Sequence, residues 1–224
     1  MNEPQPGATP ADPEALRVLV LDVDSTLITG EVIELLAAHA GVAGEVAAVT
    51  ERAMRGEIDF ATSLHERVAT LAGLPVEVLD AVRAQVVLSP GAERLIARVQ
   101  AAGWPVGLVS GGFAEVVEPL AARLGIDFVR ANRLEVRDGL LTGRVTGPVV
   151  DRAAKALALR ELAAAHGVPL ELTVAIGDGA NDLEMLATAG LGIAYNAKPV
   201  VQEQADVSIL GEPLDAVLPL LGLT

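Results

Sequence analysis

Six short apolar runs rich in β-branched residues recur along the chain: 17–23 (RVLVLDV), 105–109, 128–131, 173–176, 191–194 and 207–209. Each has the length of a strand and lacks polar alternation, the pattern of a strand buried on both faces. Between most of them lie helical patterns, at 92–102, 115–124, 153–166 and 183–187. Alternating strand and helix predict an α/β fold, an open parallel sheet flanked by helices. In such sheets ligands bind outside the carboxyl ends of the strands, so the residues at those ends carry the functional question.

Two segments interrupt the alternation. Residues 31–87 hold no convincing strand but have helical spacing, broken near 41–44, 56–59 and 73–75. Three or four short helices are expected there, inserted as a small cap directly after the first strand. Residues 133–145 (RLEVRDGLLTGRV) place Asp138-Gly139 between two β-type stretches, which predicts a hairpin. The expected organisation is a flexible tail at 1–14, a core at 15–29 and 89–224, and a helical cap at 30–88.

Charge and composition narrow the function. The net charge of −14 argues against nucleic acid and anionic membrane as partners, since both call for a basic face. Cysteine is absent, which excludes disulfides and thiolate metal sites. No run has the length and apolarity of a membrane span, and the first residues do not read as a signal peptide. The expectation is a cytoplasmic protein, monomer or homodimer, acting on a small molecule. Only two lysines exist, Lys155 and Lys198.

Four strand-end or helix features carry chemistry. Asp22 and Asp24 stand two apart in DVDST, and would share a face if the strand continues. Two carboxylates so close need a cation between them or a proton on one. A hard divalent ion suits such oxygen ligands. Asp178, Asn181 and Asp182 follow another strand in IGDGAND, where a neighbouring strand could bring Asp178 beside Asp22. Ser110-Gly111-Gly112 ends a third strand and offers a hydroxyl and free N–H groups to phosphate. Lys155 lies on the helix before IGDGAND and could neutralise a phosphate. Each alone has a plain reading, as a helix cap, a Gly-rich turn or a surface lysine. Lys198, before a proline, keeps that plain reading. His39, His65 and His166 have no metal-ligand spacing.

DVDST, VSGG, Lys155 and GDGAND resemble, in order, the four motifs of the haloacid-dehalogenase-like (HAD) phosphatase superfamily. The resemblance runs from about residue 17 to the end. The segments GEVIELLA, RAMRGEIDF and SLHERV, with NRLEVRDGLLTG, are similar to the cap and hairpin of its phosphoserine phosphatase family. Val23 departs from the Phe that many members carry, and no N-terminal regulatory domain of the kind some members have is expected. The resemblance implies a Rossmann-like HAD core and a Mg²⁺-dependent phosphatase acting on O-phosphoserine. Asp22 would be the nucleophile and Asp24 the acid and then the base. Mg²⁺ would be held by Asp22, by the Asp24 backbone carbonyl and by Asp178, with Asp182 in support. Ser110, Gly111, Lys155 and Asn181 would hold or order the phosphoryl group. Glu31 would meet the substrate ammonium, Arg67 its carboxylate, and Phe60 its apolar side. Cap motion would hinge near Gly30 and at 89–91. Two other readings remain: an enzyme of this fold acting on another phosphomonoester or transferring its phosphoryl group, and a receiver-like module phosphorylated once on aspartate.

Overall fold

The four residues of β1 (Val18–Leu21) are completely buried, and alternate ones belong to different apolar clusters. Leu19 and Leu21 pack on one side of the sheet, Val18 and Val20 on the other, as the two-residue period of a strand requires. The computed structural model describes residues 16–54 and 57–223. The tail expected at 1–14 lies outside the described residues.

After β1 come α1 (Val32–Ala40), α2 (Ala43–Met54), α3 (Phe60–Ala69) and α4 (Val78–Gln85). The chain continues through α5 (Ala92–Ala101), β2 (Val106–Phe113), α6 (Ala114–Arg123), β3 (Phe128–Arg137) and β4 (Leu140–Thr146). It ends with α7 (Arg152–Ala165), β5 (Thr173–Gly177), α8 (Leu183–Thr188), β6 (Leu191–Tyr195), α9 (Pro199–Gln202) and β7 (Val207–Ile209). A 3-10 stretch, Leu214–Leu221, closes the described chain.

The sheet order is β4-β3-β2-β1-β5-β6-β7, with every neighbouring pair parallel except β3 and β4. Helices α5 and α6 pack with Leu19 and Leu21, and α7 and α8 with Val18 and Val20. The α/β fold read from sequence is therefore the fold observed. Strand order reverses beside β1, with β2 on one flank and β5 on the other, so a crevice opens at their carboxyl ends. Leu21 is level with Leu108 of β2 and Ile176 of β5. Asp22, one residue beyond that level, and Ser110 and Asp178, two residues beyond it, therefore lie together at the carboxyl ends.

Three boundaries differ from the sequence reading. β1 ends at Leu21, before Asp22, because the chain turns at once; Ser25 takes a left-handed φ of 60°. β2 continues through Ser110-Gly111-Gly112 to Phe113, and a register shift against β3 absorbs the extra residues. β3 is one long strand that pairs parallel with β2 as far as Asn132 and antiparallel with β4 from Arg133. Its turn into β4 has Asp138 and Gly139 both at positive φ, 53° and 76°, the backbone of a two-residue hairpin.

Helices α1–α4 sit over the crevice, between β1 and α5. Their two connections to the core run side by side: Thr29 N–H donates to Val87 O at 2.9 Å, and Ser89 N–H to Leu27 O at 2.9 Å. Their apolar faces, including Leu36, Leu64, Val68 and Val82, join the same cluster as Leu21 and Leu108. They are also tied to the hairpin, through Gly73 N–H to Leu141 O and Leu141 N–H to Leu74 O, both 2.8 Å. Sequence gave no hint of that second attachment.

Candidate active site

Lys155 is fully buried in the first turns of α7, whose start is capped by Asp151 accepting from Ala154 N–H at 2.9 Å. Its ammonium donates to Asp22 and, at 2.6 Å, to Asp182. Burial alone would lower the Lys155 pKa, but the charges of Asp182 and Asp22 and the bonds to both hold it above its ordinary value. Burial pushes the Asp22 carboxyl well above the usual carboxylate range, aided by Asp182 and opposed by Lys155. Burial likewise lifts Asp178 to about 6, with Asp182 adding repulsion while the Thr26 hydroxyl, donating at 3.2 Å, counters it.

Oxygens of Asp22, Asp178 and Asp182 lie within 4.8 Å of one another. Three carboxylates face one ammonium, an excess of negative charge at a site where Asp22 and Asp182 are buried. The donors are all oxygen, which fits a hard divalent cation. This arrangement can hold a metal ion. Asp182, expected only in support, is one of the three and also steadies the loop by accepting from Gly179 N–H at 2.9 Å.

Asp24 does not share Asp22's environment as strand geometry alone suggested. Because β1 has already ended, its carboxylate is turned towards α1 and β2. One oxygen accepts from Val32 N–H at 2.8 Å, the other from the Ser110 hydroxyl at 2.8 Å. The first bond also satisfies an amide at the start of α1, where no other side chain caps the helix. Ser110 in turn accepts from Gly112 N–H at 2.7 Å.

The glycines here are required by close approach. A Cβ on Gly112 would stand 2.5 Å from an Asp24 oxygen, and one on Gly111 2.8 Å from the Phe60 ring. A Cβ on Gly177 would meet Asp182 at 2.5 Å. Backbone amides and carboxylates thus come closer than any other residue type permits.

The helices above contribute the opposite wall. Phe60 opens α3 and lies over Gly111. Arg67, about two turns further along, is 8% exposed, and its Nε donates to Ser63 O at 3.2 Å. Glu31 precedes α1 without capping it. Burial raises the Glu31 pKa to about 7, with repulsion from Asp24 and relief from Arg67. Burial lowers the Arg67 pKa, with Glu31 and Asp24 opposing. A cavity of about 390 Å³ is lined from below by Asp22, Asp24, Gly111, Asp178 and Asn181 and from above by Glu31, Phe60 and Arg67.

The haloacid dehalogenase-like hydrolase family model matches residues 19–187. The chain belongs to this family. Among its relatives, phosphoserine phosphatase SerB2 of Mycobacterium tuberculosis is 60% identical over 93% of this chain and 51% of that protein. The phosphoserine phosphatase of Streptomyces coelicolor is 62% identical over 94% and 51%. The chain thus spans about half the length of these two. It covers 97% of the phosphoserine phosphatase of Streptococcus thermophilus, at 51% identity over 93% of this chain. A solved structure of a phospho-aspartyl intermediate analogue of phosphoserine phosphatase aligns with a TM-score of 0.87 at 41% identity, covering 92% of this chain and 98% of that one.

The cavity of this family member also has features that sequence reading passed over. Lys198 and Arg152 lie on its wall, although Lys198 read as a plain surface lysine. Thr26 is a buried partner of Asp178. Asn132, buried behind Gly111, was not singled out at all. Lys198 stands out in the sequence as one of only two lysines, but nothing local to it points to the cavity; Asn132 has no local signal.

Proposed function

We propose that this chain is a Mg²⁺-dependent phosphatase that hydrolyses O-phosphoserine to serine and phosphate through a phosphoaspartyl intermediate on Asp22. One observation carries the reading: Asp22 stands at the floor of a cavity beside Lys155 and two more carboxylates, while Glu31 and Arg67 face it from the roof. A phosphate dianion and a zwitterionic amino acid need those two kinds of surface at once.

Phosphate monoesters resist hydrolysis because an anionic nucleophile must approach an anionic centre; unaided, the reaction needs up to ~10²¹-fold help. Lys155 holds Asp22 in place and offsets charge on the phosphoryl oxygens. Asp22, Asp178 and the Asp24 backbone carbonyl, with Asp182 beside them, would hold Mg²⁺, which would supply Lewis-acid polarisation of the phosphoryl group. An Asp22 oxygen attacks phosphorus as the bond to the serine oxygen breaks. Asp24, entering as the acid, gives its proton to that oxygen. Its carboxylate then takes a proton from water, whose oxygen attacks phosphorus and breaks the bond to Asp22. Ser110, Gly111 and Asn181 orient the phosphoryl oxygens throughout. The Arg67 fork suits the substrate carboxylate and Glu31 its ammonium. Phe60 covers the remaining side and helps exclude water.

The cap, 30–88, would open for substrate and close for chemistry, with Gly30 and residues 89–91 as hinges. No helix among the described residues is long and apolar enough to cross a membrane. A cytoplasmic monomer or homodimer completing serine biosynthesis is the matching biological reading.

The test is phosphate release with Mg²⁺ from O-phosphoserine, phosphoglycolate and sugar phosphates in parallel. Many turnovers, with phosphoserine the best substrate, are expected. Equal rates on all esters would end the substrate assignment and leave a general phosphomonoesterase or phosphotransferase. One phosphate per chain would point instead to a receiver-like module. Thorough chelation should silence turnover and added Mg²⁺ restore it; activity that survives chelation contradicts the metal's role.

A further inference from the structure

Asn132 is 2% exposed and sits where β3 leaves the parallel sheet, at its last pairing with β2. Both halves of its amide are engaged. Nδ2 donates to the Gly111 carbonyl at 2.8 Å, and Oδ1 accepts from Val150 N–H at 2.8 Å. Only one orientation of the amide satisfies both, since exchanging N and O would set like groups against each other.

Each bond ends at a part of the site. The Gly111 carbonyl and the Gly112 N–H belong to one planar peptide, so fixing one aims the other. That N–H donates to Ser110 Oγ, which donates to Asp24. Val150 immediately precedes Asp151, the cap of α7, the helix that carries Lys155. The Gly111-Gly112 segment cannot be held by side chains of its own, because Phe60 and Asp24 fill the space a Cβ would take. The β2–β3 register also slips between Ser110 and Phe113, interrupting the regular ladder there. Glycine backbone without a ladder needs an outside hold.

We propose that Asn132 is a positioning residue: its amide sets the rotation of the Gly111–Gly112 peptide, hence the Ser110 hydroxyl and Asp24, and locks this loop to the start of the Lys155 helix. The inference rests on the phosphoryl site being the one described under Proposed function. It assigns Asn132 no contact with substrate.

Asn132→Leu keeps the approximate size but offers the Gly111 carbonyl no donor and Val150 N–H no acceptor. Inorganic phosphate binding with Mg²⁺ present, measured calorimetrically, should weaken roughly 10- to 100-fold. The kcat for phosphoserine should fall by a similar factor, with a smaller change in KM because Glu31 and Arg67 are untouched. If the variant does not fold, Asn132→Ser is smaller and should show the same weakened phosphate binding. Wild-type phosphate affinity in a folded variant overturns the inference, as does a rise in KM alone. Should the wild-type protein bind phosphate but not hydrolyse phosphoserine, the substrate reading fails, and the phosphate measurement still decides the role of Asn132.

Discussion

Asp22 is held in a neighbourhood that its charge destabilises. Burial and the carboxylates of Asp182, Asp24 and Asp178 all act against its ionisation, and Lys155 alone opposes them. Replacing Asp22 by Asn keeps the shape and removes one of the three clustered negative charges. The variant should lose turnover by roughly 10⁴-fold or more, the scale seen when a nucleophile is removed. Its stability without metal at pH 8, followed by urea unfolding, should equal or exceed that of the wild type, because repulsion is relieved. A clear loss of stability would mean that Lys155 depends on Asp22 more than on Asp182. Glu31 sets a pH limit of a different kind. Its pKa of about 7 lies above the ordinary 4.5, so ionising it in the folded protein costs stability. That cost is absent below about pH 4.5 and complete above about pH 7, and Glu31→Gln should therefore be the more stable protein at pH 8. The same ionisation is what a substrate ammonium requires. The KM for phosphoserine should rise as pH falls below 7, relative to an ester without an amine measured alongside. Parallel pH profiles for both esters would remove Glu31 from amine recognition.

In the proposed enzyme, the helices over the crevice divide recognition from chemistry. Helix α3 presents Phe60 at its start and Arg67 near its end, and Asp59 fixes that start by accepting from Thr62 N–H at 2.7 Å. Arg67→Ala removes a cation from the roof and leaves the floor intact. The KM for phosphoserine should rise roughly 10- to 100-fold, the cost of losing a charged, geometrically matched partner. Hydrolysis of p-nitrophenyl phosphate, which has no amino-acid head, should change by less than about three-fold. Equal losses on both would make Arg67 a structural residue of the cap. Much of this arrangement was legible beforehand, because its causes are local. Buried strands announce themselves as apolar runs, Asp138-Gly139 supplies the two positive φ angles of a hairpin, and helix breaks coincide with glycines. What escaped was set by distant partners. Asp24 follows the two-residue period on paper, yet Val32 N–H and the Ser110 hydroxyl, 86 positions away, pull it elsewhere. Asn132 meets groups 21 and 18 positions off, and an asparagine within a strand gives no sign of such neighbours. The tie between the hairpin and the segment around Gly73 is made of backbone bonds, which leave no mark in residue type.

At the scale of the molecule, the proposed reaction requires an acidic protein to admit an acidic ligand. The net charge is −14, and the cavity itself carries Asp22, Asp24, Glu31 and Asp178. Charges farther than about 10 Å are largely screened at 0.1 M salt, so the residues around the mouth decide the encounter. Besides Arg67 on the roof, two cations stand on the cavity wall outside the acidic floor. Arg152 reaches Glu184 at 4.0 Å, whereas the exposed Lys198 makes no ion pair among the described residues. The backbone around Lys198 is braced: Asn196 takes a φ of 47° and accepts from Gly211 N–H at 2.8 Å, and Pro199 opens α9 directly after it. An unpaired ammonium on a fixed turn adds a local attraction at the cavity wall. Reversing that charge with Lys198→Glu should lower kcat/KM for phosphoserine roughly three- to ten-fold at 20 mM salt, as expected for two charge units acting on a dianion several ångströms away. The kcat should stay within about two-fold, since the reacting groups are untouched, and the deficit should shrink at 0.5 M salt, where the Debye length falls to a few ångströms. A deficit that persists undiminished at high salt would mean that Lys198 makes a specific contact in the bound complex. No deficit at low salt would mean that substrate enters along a path this lysine does not influence.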